Sequence, residues 1–313
     1  MGDRQRVVLD CDPGHDDALA LMLAAGDPRS ELLAVTTVAG NQTIDKVTHN
    51  ARAVLTVAGV AGVPVARGAA RPLVRAPIIA PEYHGESGLD GVELPEPTVP
   101  LDPRSAAELI VGTVMSHEPG TVTLVPTGPL TNIALALALE PLLAERVRGV
   151  TLMGGTYTRG NRNPLAEFNI MADPEAAAAV FAADWPVTMV GLDLTHQALA
   201  DDAVRSRIRA LRTAPARFVE DFLEYFAGAY ARQGFSAPPV HDLCAVAAVL
   251  DPEVMTYRDA FVAVELTGTW TSGTTVTDFD GLLGRPANTR VAVTLDRERL
   301  WDMTVSALAA LGG

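Results

Sequence analysis

Val7-Val8-Leu9-Asp10-Cys11-Asp12-Pro13-Gly14-His15-Asp16-Asp17 runs from an apolar segment into an acidic turn. The segment from Val7 to Leu9 predicts a buried strand, and residues 18–25, which are all apolar, predict a helix that ends at Gly26. The acidic turn therefore leaves the carboxyl end of a strand. Open α/β sheets bind their ligands at that edge.

Asp10, Asp12, Asp16 and Asp17 place four carboxylates within eight positions of the chain. Like charges this close repel one another, so the turn needs a cation, bound protons or the positive end of the following helix. Carboxylate oxygens on a tight turn suit a hard divalent ion such as Ca²⁺ or Mg²⁺. The alternative is a helix cap with solvated acids, which explains one aspartate more easily than it explains the cluster.

The composition favours a neutral ligand. The chain has 313 residues, 48% of them apolar, and its 24 basic and 38 acidic residues give a net charge of −14. Because negative charge repels phosphate backbones and anionic lipids, we expect neither nucleic acid nor a membrane as a partner. A sugar, a nucleoside or another ligand held by a metal fits this composition better.

Cysteine use predicts a cytoplasmic protein. Cys11 and Cys244 are the two cysteines of the chain, which is too few for a disulfide framework. The first residues lack the apolar core of a signal peptide, and no segment holds the ~20 apolar residues that span a bilayer. We therefore expect a reducing, cytoplasmic setting.

Strand-like and helix-like segments alternate along the chain. Strands are predicted at residues 32–38, 63–66, 122–125, 150–153 and 187–190, with late strands at 261–266 and 290–295. Helices are predicted at residues 46–57, 106–115, 132–139, 173–181 and 243–250. This alternation predicts one α/β domain over residues 1–313, with an open, mostly parallel Rossmann-like sheet flanked by helices. Additional helices and the late strands are expected around the active-site mouth.

Two segments break the alternation. Residues 69–103 are rich in proline and glycine and predict a long loop, and loops of that length are usually functional or disordered. Residues 215–239 predict an aromatic-rich helix followed by a loop. Aromatic residues at helical spacing belong to a core more often than to a ligand site.

Further polar side chains follow the predicted strands. They are Asn41, Thr127, the group Asn161, Glu167 and Asn169, and the pair His241-Asp242 at the start of an apolar helix. Aspartate and threonine supply oxygen ligands for Ca²⁺ or Mg²⁺, and amides suit sugar hydroxyls. His84 and His241 are candidate proton donors. Taken alone, Asp242 has the simpler explanation of a helix cap, and His241 that of a surface imidazole.

These motifs together resemble one enzyme family over nearly the whole chain. The segment from Asp10 to Ala18 is similar to the N-terminal signature of the nucleoside hydrolases, specifically the inosine–uridine-preferring nucleoside ribohydrolases. The likeness continues in family order through residues 36–43, 84–88, 125–134, 152–155, 166–170, 173–177 and 240–242. The resemblance implies hydrolysis of the N-glycosidic bond of ribonucleosides such as inosine and uridine, and a homo-oligomer that is a tetramer or a dimer.

The resemblance also implies a role for each matching position. Ca²⁺ would be bound by Asp12, Asp17, Asp242 and the backbone carbonyl of Thr127, with Asp10 supporting the turn. Asp12 would also be the general base for a Ca²⁺-bound water. The ribose would be held by Asp16, Asn41, Met153, Asn161, Glu167 and Asn169. His241 would face the leaving base, with His84, Tyr225 and Tyr230 nearby, and His15 receives no role.

The implied role of His241 carries a physical expectation. A departing nucleobase is a poor anion, so protonation would help it to leave, and Asp242 should favour the charged form of the neighbouring imidazole. Two other classes of protein stay open. A strand followed by Asp-x-Asp also begins haloacid-dehalogenase-like phosphatases, although no lysine placed for a phosphate is evident here. A nucleoside- or sugar-binding protein would keep the pocket without turnover.

Overall fold

The computed structural model describes residues 4–313, which form ten strands and thirteen helices. The strands are β1 (Gln5–Cys11), β2 (Ser30–Thr37), β3 (Val65–Arg67), β4 (Leu101–Asp102), β5 (Val122–Pro126), β6 (Gly149–Met153), β7 (Val187–Val190), β8 (Met255–Val264), β9 (Thr275–Asp278) and β10 (Thr289–Leu295). The helices are α1 (His15–Gly26), α2 (Ile44–Val57), α3 (Pro81–His84), α4 (Ala106–Met115), α5 (Thr131–Leu139), α6 (Leu143–Arg146), α7 (Phe168–Ala172), α8 (Pro174–Ala182), α9 (Leu192–Thr195), α10 (Asp202–Ala210), α11 (Ala214–Ala231), α12 (Asp242–Leu250) and α13 (Arg297–Leu311).

The strands form one sheet in the order β4-β3-β2-β1-β5-β6-β7-β10-β8-β9. β1 pairs in parallel with β2 and with β5, and parallel pairing continues outward to β4 on one side and β10 on the other. β8 is the one described strand that runs opposite to the others, because it pairs antiparallel with both β10 and β9. The predicted α/β fold with an open, mostly parallel sheet is confirmed, and so are both late strands.

The strand order reverses beside β1, and this reversal creates the crevice in which the site lies. The chain proceeds from β1 outward to β4 in one direction and from β5 outward to β10 in the other. A crevice therefore opens between the carboxyl ends of β1 and β5, at the topological switch point of the sheet. Because β1 ends at Cys11 and β5 ends at Pro126, the acidic turn and Thr127 lie side by side in this crevice.

Two hydrophobic layers cover the faces of the sheet. In β1, Val7 and Leu9 pack into the layer that contains α1, α2, α11, α12 and α13, while Val8 packs into the layer that contains α4, α5 and α8. α1 and α12 are buried along almost their whole length, which matches their continuous apolar sequences. The N-termini of these two buried helices carry Asp16, Asp17 and Asp242, so well-packed elements hold these three aspartates.

The segment at residues 69–103 is mostly irregular, as predicted. Its regular elements are the short helix α3 and the short strand β4. The aromatic-rich segment is α11, followed by an irregular stretch up to α12. Within residues 4–313, the structure has no helix that combines the length and the apolar character needed to cross a bilayer.

Candidate active site

Five buried carboxylates meet in the crevice: Asp10, Asp12, Asp16, Asp17 and Asp242. Asp10 belongs to β1, Asp12 to the turn after it, Asp16 and Asp17 to the first turn of α1, and Asp242 to the first turn of α12. Oxygen atoms of Asp16, Asp17 and Asp242 lie within 4.8 Å of one another. No lysine or arginine among residues 4–313 forms an ion pair with any of the five.

Burial raises the pKa of every carboxyl group in this cluster, and it is the largest cause in each case. The pKa of Asp10 rises to about 6 and that of Asp16 to about 7, while those of Asp12 and Asp242 rise well above the usual range. Repulsion from neighbouring carboxylates adds to the effect of burial in these four groups. The cluster therefore lacks positive charge, which bound protons or a cation can supply.

The donor set of the cluster fits a divalent cation. Oδ1 of Asp12 and Oδ1 of Asp16 are buried without a hydrogen-bond partner. Oδ2 of Asp12 accepts from the backbone N–H of Asn41 at 2.6 Å, and Oδ1 of Asp17 accepts from the Thr127 hydroxyl at 2.8 Å. Unpartnered carboxylate oxygens, together with the lack of a basic side chain among the described residues, suit a hard cation such as Ca²⁺ or Mg²⁺.

Two glycines lie close to the Asp12 carboxylate, and two hydrogen bonds hold the Asp10 carboxylate. A Cβ atom at Gly40 would lie 2.1 Å from Oδ2 of Asp12, and a Cβ atom at Gly128 would lie 2.6 Å from Oδ1. Oδ1 of Asp10 accepts from the Thr36 hydroxyl at 2.6 Å and from the Asn132 amide at 2.7 Å. These hydrogen bonds connect Asp10 to β2 and α5.

A cleft of about 470 Å³ opens over the carboxylate cluster. The residues from the sequence prediction that line it are Asp16, Asn41, His84, Thr127, Met153, Asn161, Glu167, Asn169, Tyr230, His241 and Asp242. Asp12 and Asp17 lie behind Asn41, whose side-chain amide donates to the Asp12 carbonyl at 3.2 Å and to the Asp17 carboxylate at 3.3 Å. Tyr225 does not line this cleft, because its ring stacks on His15 with the ring centroids 5.5 Å apart.

Glu167 and Asn169 fix one wall of the cleft. The Glu167 carboxylate accepts from the backbone N–H groups of Asn169 at 2.9 Å, Gly155 at 3.0 Å and Ile170 at 3.1 Å, and burial raises its pKa to about 7. The Asn169 amide donates to the carbonyl oxygen of Thr127 at 2.8 Å. This contact orients a backbone carbonyl beside the carboxylates, where it can serve as a further oxygen ligand.

His241 lies where three helices meet. Its Nδ1 is 2.7 Å from the hydroxyl of Thr195 in α9, and its Nε2 is 2.8 Å from the hydroxyl of Tyr230 in α11. Burial lowers the pKa of His241 to about 3, and the nearby His196 adds to this effect. The expectation that Asp242 keeps this imidazole charged is therefore wrong, because the cost of burying the cation decides the outcome.

His84 contacts a second buried histidine, His15. The Nδ1 atoms of the two rings are 3.0 Å apart, and Nε2 of His15 lies 2.9 Å from the carbonyl oxygen of Asp90. Burial lowers the pKa of His15 to about 4 and that of His84 well below its usual value. Both rings are therefore neutral near pH 7.

The cleft also contains residues for which the sequence predicts no role. Tyr83, Arg162 and Phe168 line it, and each is a direct neighbour of a predicted residue in the sequence, so adjacency was a usable signal. Thr195 had no such signal, because it reaches His241 from 46 positions away along the chain.

Comparisons with known proteins agree with this geometry. The model of the family described as inosine-uridine preferring nucleoside hydrolase matches residues 7–302. The chain is 52% identical over 309 residues to the inosine-uridine preferring nucleoside hydrolase of Leishmania major, with 98% of each chain covered. It is 47% identical over 305 residues to the pyrimidine-specific ribonucleoside hydrolase RihA of Shewanella woodyi, covering 96% of this chain and 97% of the relative.

A solved structure shows the same fold at high similarity. The purine-preferring ribonucleoside hydrolase from Gardnerella vaginalis superposes with a TM-score of 0.92 at 31% identity, over 98% of this chain and 99% of that one. The chain therefore belongs to the inosine-uridine preferring nucleoside hydrolase family, whose members hydrolyse the N-glycosidic bond of ribonucleosides.

Proposed function

We propose that this chain is a Ca²⁺-dependent hydrolase that converts ribonucleosides such as inosine and uridine to ribose and free nucleobase. The observation that carries the proposal is the cluster of five buried carboxylates without a basic partner, at the floor of a cleft whose wall carries amide groups. Carboxylates and a backbone carbonyl suit Ca²⁺, which accepts six to eight oxygen ligands in flexible geometry.

The proposed ligands are Asp12, Asp17, Asp242 and the carbonyl oxygen of Thr127. When bound, Ca²⁺ supplies the positive charge that orients a water molecule and the ribose hydroxyls. Asp12 is the proposed general base, because Asn41 holds one of its oxygens and the other has no partner in the protein. That free oxygen can accept a proton from the attacking water, a contribution typically worth about 10²- to 10⁴-fold in rate.

The remaining polar groups of the cleft are proposed to hold the ribose. These groups are Asp16, Asn41, Met153, Asn161, Glu167 and Asn169. Cleavage of the N-glycosidic bond builds positive charge on the ribose ring, and fixed carboxylates nearby lower the energy of that state. Water attacks on the face opposite the departing base, which makes the reaction an inverting hydrolysis.

His241 and Tyr230 are proposed to assist the departing base. Tyr230 lines the cleft, its hydroxyl is 2.8 Å from Nε2 of His241, and Thr195 holds the other ring nitrogen. This arrangement places in the cleft a hydroxyl that is oriented by an imidazole. The named relatives differ in base preference, so we propose no preference between purines and pyrimidines.

Ribose release from inosine and uridine, measured with Ca²⁺ and with a chelator, tests the proposal. We expect Asp12→Asn and Asp242→Asn to lower turnover at least ~10²-fold, since each removes a charged ligand and the first also removes the base. Both variants should also lose the rise in unfolding temperature that Ca²⁺ gives the wild type.

Asp45→Asn is the matched control, because Asp45 is an exposed aspartate in the first turn of α2. It should leave turnover and the Ca²⁺ effect unchanged. Near-wild-type turnover by Asp12→Asn would contradict the site assignment, and nucleoside binding without ribose release would favour a binding protein.

The cellular setting and assembly stay predictions. The cysteine use supports a cytoplasmic location, and the family resemblance supports a homo-oligomer. One domain over residues 1–313 is likewise proposed, with residues 1–3 outside the part of the chain that the structure describes.

A further inference from the structure

His15 contacts the cleft residue His84 from behind, although the proposed function gives His15 no role. Its side chain is 0% exposed. Its Nδ1 lies 3.0 Å from Nδ1 of His84, and its Nε2 lies 2.9 Å from the carbonyl oxygen of Asp90. Since Nδ1 of His84 is turned toward His15, Nε2 is the nitrogen that His84 has available for a ligand in the cleft.

These two contacts determine where the protons lie on a pair of neutral rings. A carbonyl oxygen can only accept, so the contact with Asp90 requires the proton of His15 to be on Nε2. His15 then has a lone pair on Nδ1, which must accept from an N–H on Nδ1 of His84. With its proton on Nδ1, His84 carries a lone pair on Nε2.

The opposite assignment, with the proton of His84 on Nε2, satisfies these contacts less well. It would place either the Nδ1 lone pairs of the two rings against each other at 3.0 Å or, with the His15 proton moved to Nδ1, the Nε2 lone pair of His15 against the Asp90 carbonyl oxygen at 2.9 Å. It would gain only a hydrogen bond from the backbone N–H of His15 to Nδ1 of His84, which at 3.3 Å is the longest of the three contacts.

We propose that His15 is a positioning residue that fixes His84 as the tautomer presenting a hydrogen-bond acceptor to the cleft. His84 then accepts an N–H group of the leaving base and does not protonate it, so its sequence-based designation as a proton donor is replaced. Ring N–H groups of uracil and hypoxanthine and amino groups of cytosine and adenine supply this donor. The inference rests on the proposed function, in which the base lies beside His84.

Packing holds the two rings in this arrangement. The His15 ring stacks on Phe226 at a centroid distance of 4.9 Å and on His84 at 5.2 Å. A Cβ atom at Gly14 would lie 2.4 Å from Nδ1 of His84, so only glycine lets the ring approach the backbone here. The pair is therefore fixed by its surroundings and not only by its own hydrogen bond.

Multiple-bond ¹H–¹⁵N correlation spectra of the wild type test the tautomer directly. We expect His84 to show a protonated Nδ1 and an unprotonated Nε2. In His15→Phe, which keeps an aromatic ring among aromatic neighbours, the backbone N–H of residue 15 becomes the only donor to Nδ1 of His84, so the proton should move to Nε2. A wild-type His84 protonated on Nε2 would overturn the proposal, and this spectrum decides even where the variant does not fold.

A double-mutant cycle on uridine tests whether His15 acts through His84. We expect His15→Phe and His84→Phe each to raise KM for uridine up to ~10-fold, which is the effect of one lost hydrogen bond. The KM of the double variant should be no higher than that of His84→Phe alone. KM for p-nitrophenyl riboside, whose leaving group has no N–H, should change less than ~2-fold in both single variants. If the two substitutions raised KM for uridine additively, the proposal would be overturned.

Phe218→Leu is the packing control, because Phe218 packs edge-on against Phe222 in the same aromatic cluster. It should lower the unfolding temperature and leave the His84 tautomer unchanged. If the wild type failed to release ribose, the proposed function would be contradicted, whatever tautomer the spectrum showed. If the wild type released ribose but His84 were protonated on Nε2, only the present inference would be contradicted.

Discussion

At the scale of single residues, the position of the Asp12 carboxylate depends on two neighbouring glycines. Gly40 and Gly128 approach its two carboxylate oxygens so closely that a Cβ atom at either position would overlap them. These glycines are required because the carboxylate occupies the place where a side chain would be. The geometry of the proposed base therefore depends on residues that contribute no chemistry.

We expect Gly40→Ala to lower ribose release about 10²-fold, because the new methyl group must displace a carboxylate oxygen that now lies 2.1 Å from its position. Overpacking of this kind costs about 1–3 kcal/mol of folding free energy, so the protein should still fold. Turnover of uridine and the unfolding temperature are the measurements.

Gly228→Ala provides the comparison, because Gly228 lies in α11 and, apart from its chain neighbours and the backbone of its own helix, no atom lies within 4 Å of the position that a Cβ atom would take there. Alanine at this position should leave turnover unchanged and raise helix stability by up to ~1 kcal/mol. Equal turnover in both variants would show that Asp12 tolerates displacement and would contradict its role as the base.

At the scale of secondary-structure elements, three helices position one imidazole. His241 precedes α12, Thr195 ends α9 and Tyr230 lies near the end of α11. A shift of α11 would therefore change both the hydroxyl at the cleft and the ring behind it.

We expect Tyr230→Phe to lower kcat for uridine about 10-fold or more, because the hydroxyl that faces the departing base is lost. Turnover of p-nitrophenyl riboside should change little, since its leaving group needs little protonation. Tyr257→Phe is the matched control, because the Tyr257 hydroxyl has no partner and Tyr257 does not line this cleft. Equal losses on both substrates would contradict a role in leaving-group assistance.

The sequence predicted most elements, and the failures have physical causes. α1, α5 and α12 contain continuous apolar segments, and that pattern alone predicts them. α10 and α13 are not predicted, because each contains four charged residues and its buried residues are spaced along one face. The contact of Thr195 with His241 depends on how α9 packs against α12, and no local pattern encodes that packing.

At the scale of the whole molecule, sheet topology brings the site together. The signature turn after β1 could be found in the sequence, but the pairing of β1 with β5 could not, since strand order follows from long-range packing. That pairing places Thr127 beside the acidic turn, and α12 adds Asp242 from far along the chain. The fold therefore buries a cluster of carboxyl groups in its interior, and their ionisation should govern how the stability of the protein depends on pH.

The metal-free protein should lose stability as the pH rises from 6.5 to 8. Asp16 and Glu167 have pKa values raised to about 7, and burial also raises the pKa values of Asp12 and Asp242 well above the usual range. In this range the folded state holds protons that the unfolded chain, whose carboxyl groups titrate near pH ~4, has already lost. Because the folded state binds more protons, its stability falls with rising pH. Below about pH 6.5 the buried neutral histidines act in the opposite direction, so the comparison starts there.

The unfolding temperature of chelated protein at pH 6.5 and pH 8 measures this effect, and we expect a fall of several degrees. Ca²⁺ at 100 times its dissociation constant should add about 2.7 kcal/mol and make the fall smaller, because the cation replaces the protons that the cluster loses. Asp16→Asn should flatten the pH dependence of the chelated protein, since it removes one of the titrating carboxyl groups. A chelated wild type that is equally stable at both pH values would show that the carboxylates are not held in a proton-binding cluster, and it would remove the electrostatic reason for placing a cation there.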